Sequence, residues 1–74
     1  MKPEEIKSLI ESNLQGARAI VTSDDGHHYS AEVCCPSFEG KPLLVQHRMV
    51  YDAIGPAVGR AIHALALTTR ATTL

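Results

Sequence analysis

The chain has 74 residues, 45% hydrophobic and only 4% aromatic, and carries a formal net charge of −1. At this size it is expected to be one domain spanning residues 1–74, burying about 60% of its unfolded surface, and its apolar share argues against intrinsic disorder. The charge argues against a general electrostatic affinity for nucleic acid, no apolar run is long enough to span a bilayer, and Met1-Lys2-Pro3-Glu4-Glu5 is no signal peptide, so a soluble cytoplasmic protein is the expectation.

The first element is a helix. Pro3 suits a first helical position, and Glu4 and Glu5 oppose the positive end of the helix dipole. Ile6, Leu9, Ile10 and Leu14 then fall on one face, and Gly16 is placed to stop the helix. Residues 17–23, rich in β-formers around Ile20-Val21-Thr22, predict a strand. Asp24-Asp25-Gly26 reads as a turn. A second strand follows, in which Tyr29, Ala31, Val33 and Cys35 alternate with Ser30, Glu32 and Cys34, the pattern of a sheet covered on one side. Pro36 ends it. Cys34 and Cys35 are adjacent and would need strained geometry to bond to each other. They read as small hydrophobes or bystanders, Cys35 packed and Cys34 on the other face.

Phe38 to Tyr51 is the most specific stretch. Glu39-Gly40-Lys41-Pro42 has turn chemistry, and Leu44, Val45, Met49 and Val50 recur at helical spacing beside a polar His47-Arg48. We expect a short helical turn after Pro42 and a longer helix from about His47, with Val50, Ile54 and Val58 as its stripe and Ala53, Ala57 and Ala61 beside it. Pro56 should kink or restart that helix, and Gly59 should cap it. Ile62 to Thr69 is the last strand, and Leu74 comes too soon for another helix. The order is α-β-β-α-α-β. A hairpin followed by a helical crossover to a parallel strand gives a two-layer α+β domain, a three-stranded sheet with helices on one face.

Four histidines stand out: His27, His28, His47 and His63. If the second and third strands are parallel neighbours, both begin at the same edge, which brings His63 near the loop carrying His27 and His28. Imidazoles there could ligate a metal, but the chain has no spaced Cys/His set to complete a four-ligand site, so a metal would be shared with a partner. The plainer alternative is a hydrogen-bonded strand-end His63 and a loop His28. Lys41, His47 and Arg48 form either a small basic patch or simply a solvated face. Tyr51 reads as core edge. No nucleophile with a neighbouring base, GxSxG or phosphate loop is present, and Asp24-Asp25 reads as turn chemistry, so catalysis is not expected.

Phe38-Glu39-Gly40-Lys41-Pro42-Leu43-Leu44, His47-Arg48-Met49-Val50-Tyr51 and Ile62-His63-Ala64-Leu65, in this order and spacing, resemble the BolA-like protein family over nearly the whole chain. The resemblance implies a class II KH-like fold and a non-enzymatic role. Members partner monothiol glutaredoxins in iron–sulfur cluster trafficking and iron regulation, and some bacterial members are described as transcriptional or stress-response regulators. It implies metal ligation by His63, at the start of the last strand, and by a loop residue, which here is His28 or His27. The cofactor implied is a [2Fe–2S] cluster shared with a glutaredoxin and its glutathione in a heterodimer, with none held alone. The cysteines do not match the family's loop cysteine. The alternative, a nucleic-acid-binding regulator using Lys41, His47 and Arg48, is weakened because Gly40-Lys41-Pro42-Leu43 is not a nucleotide-clamping GxxG loop.

Overall fold

The computed structural model describes residues 2–55 and 64–71. Their elements are a helix α1 (Pro3–Asn13), strands β1 (Arg18–Thr22) and β2 (His28–Cys34), a single 3-10 turn (Pro36–Phe38), a helix α2 (Leu43–Ile54) and a strand β3 (Ala64–Arg70). The sheet order is β1-β2-β3. β1 and β2 are antiparallel, with Ala19 opposite Val33. β2 and β3 are parallel, with His28 opposite Ala64 and Cys34 opposite Arg70. This is the α+β hairpin-and-crossover topology expected from the sequence.

Alternation along β2 decides which side the helices cover. Tyr29, Ala31 and Val33 are buried, and they join Ile6 and Ile10 of α1 and Val50 and Ile54 of α2 in one core, with Ala19, Cys35 and Phe38. Phe38 is the only phenylalanine in the chain and is fully buried, so the 3-10 turn drives the largest single apolar side chain into the core. Leu65 and Leu67 of β3 pack against its margin.

Polar side chains tie these parts together. Gln46 of α2 donates through Nε2 to the carbonyls of Lys41 (2.7 Å) and Phe38 (3.3 Å), while its Oε1 accepts from the Thr69 hydroxyl at 2.6 Å. Asn13 donates to the Ala53 carbonyl at 2.9 Å and so closes the end of α2 against the end of α1. On the outer side of β1, the Glu11 carboxylate accepts the Ala19 N–H at 2.9 Å and the Lys7 ammonium donates to the Ala19 carbonyl at 3.1 Å.

Three expectations need correction. The turn after Pro42 and the helix after it are one continuous helix, which ends at Ile54 and so does not run through Gly55-Pro56 with a kink; the alternative expectation, a restart at Pro56, lies outside the described residues. Gly55 caps it with φ +94 and donates its N–H to the Tyr51 carbonyl at 3.0 Å. A residue preceding proline is disfavoured in the helical region and glycine accepts positive φ, so the dipeptide stops the helix. The expected stripe residue Val58 and the cap Gly59 lie outside the described residues. Second, Leu44 is not part of the buried face: it is 69% exposed and shares the outward face with Arg48 and Tyr51, itself 44% exposed, at i, i+4 and i+7. Third, Cys34 follows the uncovered face by strand alternation and yet is buried. Its register neighbours on both sides are arginines, Arg18 and Arg70, whose aliphatic stems are long enough to cover so small a side chain.

Candidate functional site

The loop joining β1 to β2 is short, and its own side chains satisfy its backbone. The Ser23 hydroxyl accepts the Gly26 N–H at 2.9 Å and donates to the His28 carbonyl at 2.7 Å. One oxygen of Asp25 accepts the backbone N–H of both His27 and His28, each at 2.8 Å. Its other oxygen meets Nδ1 of the His28 ring, also at 2.8 Å. Gly26 supplies the positive φ (+76) at the tip, and its carbonyl accepts the hydroxyl of the buried Tyr29 at 2.9 Å, which anchors the loop to the core. Asx-type turns of this kind are the physical reason why Asp and Gly cluster in tight loops.

The electrostatics follow from the same bonds. The backbone N–H of His28, then its ring, then the N–H of His27 hold the Asp25 carboxyl well below the usual carboxylate range, because each donor favours the charged form. Asp25 is therefore an acceptor at neutral pH. The His28 side chain is 70% exposed. It stands at the rim of an open hollow lined by Thr22, Ser23, Asp25, Ser30 and Ala66.

The expected site residues sort themselves by position. His27 and His28 occupy the loop and the first residue of β2, and both are exposed. His63 lies outside the described residues; Ala64, which follows it in the chain, opens β3 and pairs with His28. Among the described residues no group of three or more His, Cys, Asp or Glu could hold a metal ion. Lys41, His47 and Arg48 belong to the other end of the sheet, since Gln46 beside them bonds to Thr69, near the end of β3. Lys41 donates to the Ser37 carbonyl, Arg48 is exposed and His47 half-buried. Sequence reading took Asp25 only as a turn residue and missed its bond to the His28 ring. The Asp25-Gly26-His27-His28 spacing was the available signal, since a turn that brings residues i and i+3 together lets their side chains meet.

A family model described as BolA-like protein matches residues 1–73. The structure of a BolA protein homologue from Coxiella burnetii superposes with a TM-score of 0.82 at 44% identity, covering 95% of this chain and 90% of that one. The solution structure of the XC975 protein aligns at 48% identity with a TM-score of 0.65, covering 95% and 88%. SufE-like protein 1 (chloroplastic/mitochondrial) of Arabidopsis thaliana is 31% identical over 48 residues, 64% of this chain, and the chain spans only 13% of that protein's length. Among the described residues no helix is long and apolar enough to cross a membrane.

Proposed function

The chain belongs to the BolA-like family, and on that premise we propose that it is a non-catalytic adaptor that partners a monothiol glutaredoxin and helps to hold and hand over a [2Fe–2S] cluster. His63 and His28 are the nitrogen ligands in this reading. The cluster is cargo: four ligands are needed in all, and the glutaredoxin with its glutathione supplies the thiolates. The observation that carries the reading is the exposed His28 ring, braced by Asp25 at the start of β2 and opposite Ala64, the neighbour of His63 in the chain. A ring held by a carboxylate and open to solvent suits a ligand offered to another protein's metal. The similarity to a plant protein named SufE-like agrees with it.

The nucleic-acid alternative draws less support. Lys41 is engaged with Ser37, the net charge is −1, and phosphate binding calls for a basic face. The test is to mix the purified protein with a cluster-loaded monothiol glutaredoxin and glutathione and to record visible absorption and circular dichroism. A spectrum distinct from that of the glutaredoxin alone is expected. It should change in His63→Ala and in His28→Ala while the apo fold persists, and stay unchanged in His27→Ala. Unaltered spectra and cluster lifetimes in His63→Ala and His28→Ala would remove the ligand assignment.

A further inference from the structure

We infer that Asp25 is a positioning residue for His28: its carboxylate fixes the tautomer in which Nδ1 carries the ring proton, so that Nε2 is the atom presented to a metal. The inference rests on His28 being a cluster ligand, and it specifies through which atom and by what support.

The two oxygens of Asp25 have different partners. One accepts two backbone N–H groups, from His27 and His28, and this pins the carboxylate to the loop. The other is thereby aimed at Nδ1 of the His28 ring, 2.8 Å away. A carboxylate only accepts, so a bond of that length requires the proton to sit on Nδ1. In a neutral ring the remaining lone pair is then on Nε2. The rest of the loop stiffens the arrangement. Ser23 grips the His28 carbonyl and the Gly26 N–H, and the Tyr29 hydroxyl holds the Gly26 carbonyl from the core side. Backbone and ring of His28 are thus fixed by separate bonds, while the side chain remains 70% exposed. His27 donates its backbone N–H to the same Asp25 oxygen as the His28 N–H does.

Ligation through Nδ1 would require breaking the Asp25 contact, whereas ligation through Nε2 keeps it. A carboxylate on the far nitrogen also raises the basicity of the ligating one and restricts the ring's rotation. The local bonds therefore favour Nε2 of His28 over its Nδ1.

The decisive measurement needs no cluster. In the full-length apo protein with ¹⁵N-labelled histidine, long-range ¹H–¹⁵N correlation above the imidazole titration range reports which nitrogen of His28 is protonated. A protonated Nδ1 is expected in the wild-type chain. In Asp25→Asn the amide can donate to Nδ1 instead, so the population should move toward the Nε2-protonated form, and in Asp25→Ala the two forms should mix. The amide spectrum of the rest of the domain serves as the check on folding. A second arm uses the glutaredoxin mixture, where Asp25→Asn should shorten cluster lifetime by about 10- to 100-fold, as is usual for a lost ligand support. A wild-type His28 protonated on Nε2, or a tautomer unmoved by both variants, overturns the inference. So does an unchanged lifetime in Asp25→Asn where His28→Ala does change the cluster. If His28→Ala is itself silent, the ligand reading has failed, and the tautomer result stands apart from it.

Discussion

Ile54 and Asp25 represent two ways of holding a small chain in place. Ile54 is buried on the helix-covered side of the sheet, among Ile6, Ile10, Val33 and Phe38, where the stabilisation comes from apolar area removed from water. Asp25 sits in an exposed loop, where almost everything is done by a few directed hydrogen bonds. Apolar packing is strong but gives little directional control over any one atom. Directed bonds in water contribute little net stability yet orient a ring. The difference teaches that stability and site geometry are separable in this fold, so that substitutions should affect one and spare the other.

The largest effect tests the core. Phe38→Ala should cost about 3–5 kcal/mol and Ile54→Ala about 2–5 kcal/mol in urea denaturation. Either loss approaches the whole stability of a small domain, which lies at about 5–15 kcal/mol. A loss below about 0.5 kcal/mol for Ile54→Ala, the range of surface changes, would mean that α2 does not bury this side.

An intermediate effect is expected where packing and directed bonding meet. Gln46→Ala removes the bonds to Lys41, Phe38 and Thr69 together, which should cost about 1–3 kcal/mol by the same measurement. If the loss matched that of an exposed residue such as Arg48→Ala, the tie between the Phe38 turn and β3 would carry no weight.

The smallest effect belongs to the loop and should appear as a pH dependence. The Asp25 carboxyl is held below its unfolded value, so the stability it contributes is present in full above that value, about 3.9, and is lost as the pH falls toward the lower folded one. The difference in stability between wild type and Asp25→Ala should therefore be constant near neutral pH and shrink below about pH 4. Denaturation curves for both proteins across that interval check it, and a difference that persisted unchanged into acid would show that the carboxylate is not the acceptor that matters.

Much of the fold was legible in the sequence because its signals are periodic. Ile6 and Ile10 at helical spacing, and Tyr29, Ala31 and Val33 in alternation, mark the buried faces that the structure contains. A kink or a restart at Pro56 was the expectation; the kink is not found, because the restriction that proline places on Gly55 stops the helix at Ile54. Leu44 misled because an apolar residue in the first turn of a helix satisfies the spacing without having anything to bury against. In the candidate site, the parallel pairing that sets Ala64 opposite His28 was legible from the topology, and His27 and His28 from their place in the turn. The role of Asp25 was not, since it depends on which way one carboxylate oxygen points, and spacing alone does not encode that.

The clasp of Lys7 and Glu11 on Ala19 bears on how these molecules behave when crowded together. A sheet margin invites another chain because its outward N–H and C=O groups can template a further strand, and proteins that fail to blunt their margins aggregate. Here a helix sends one cation and one anion across to occupy both groups of the same residue, Ala19, the second of β1. An incoming strand would have to displace a matched pair of charged side chains, themselves 3.5 Å apart, before gaining its first backbone bond. Two substitutions that look like harmless surface changes, Lys7→Ala and Glu11→Ala, would thus open a route to fibre-like assembly while leaving the folded domain otherwise as it was.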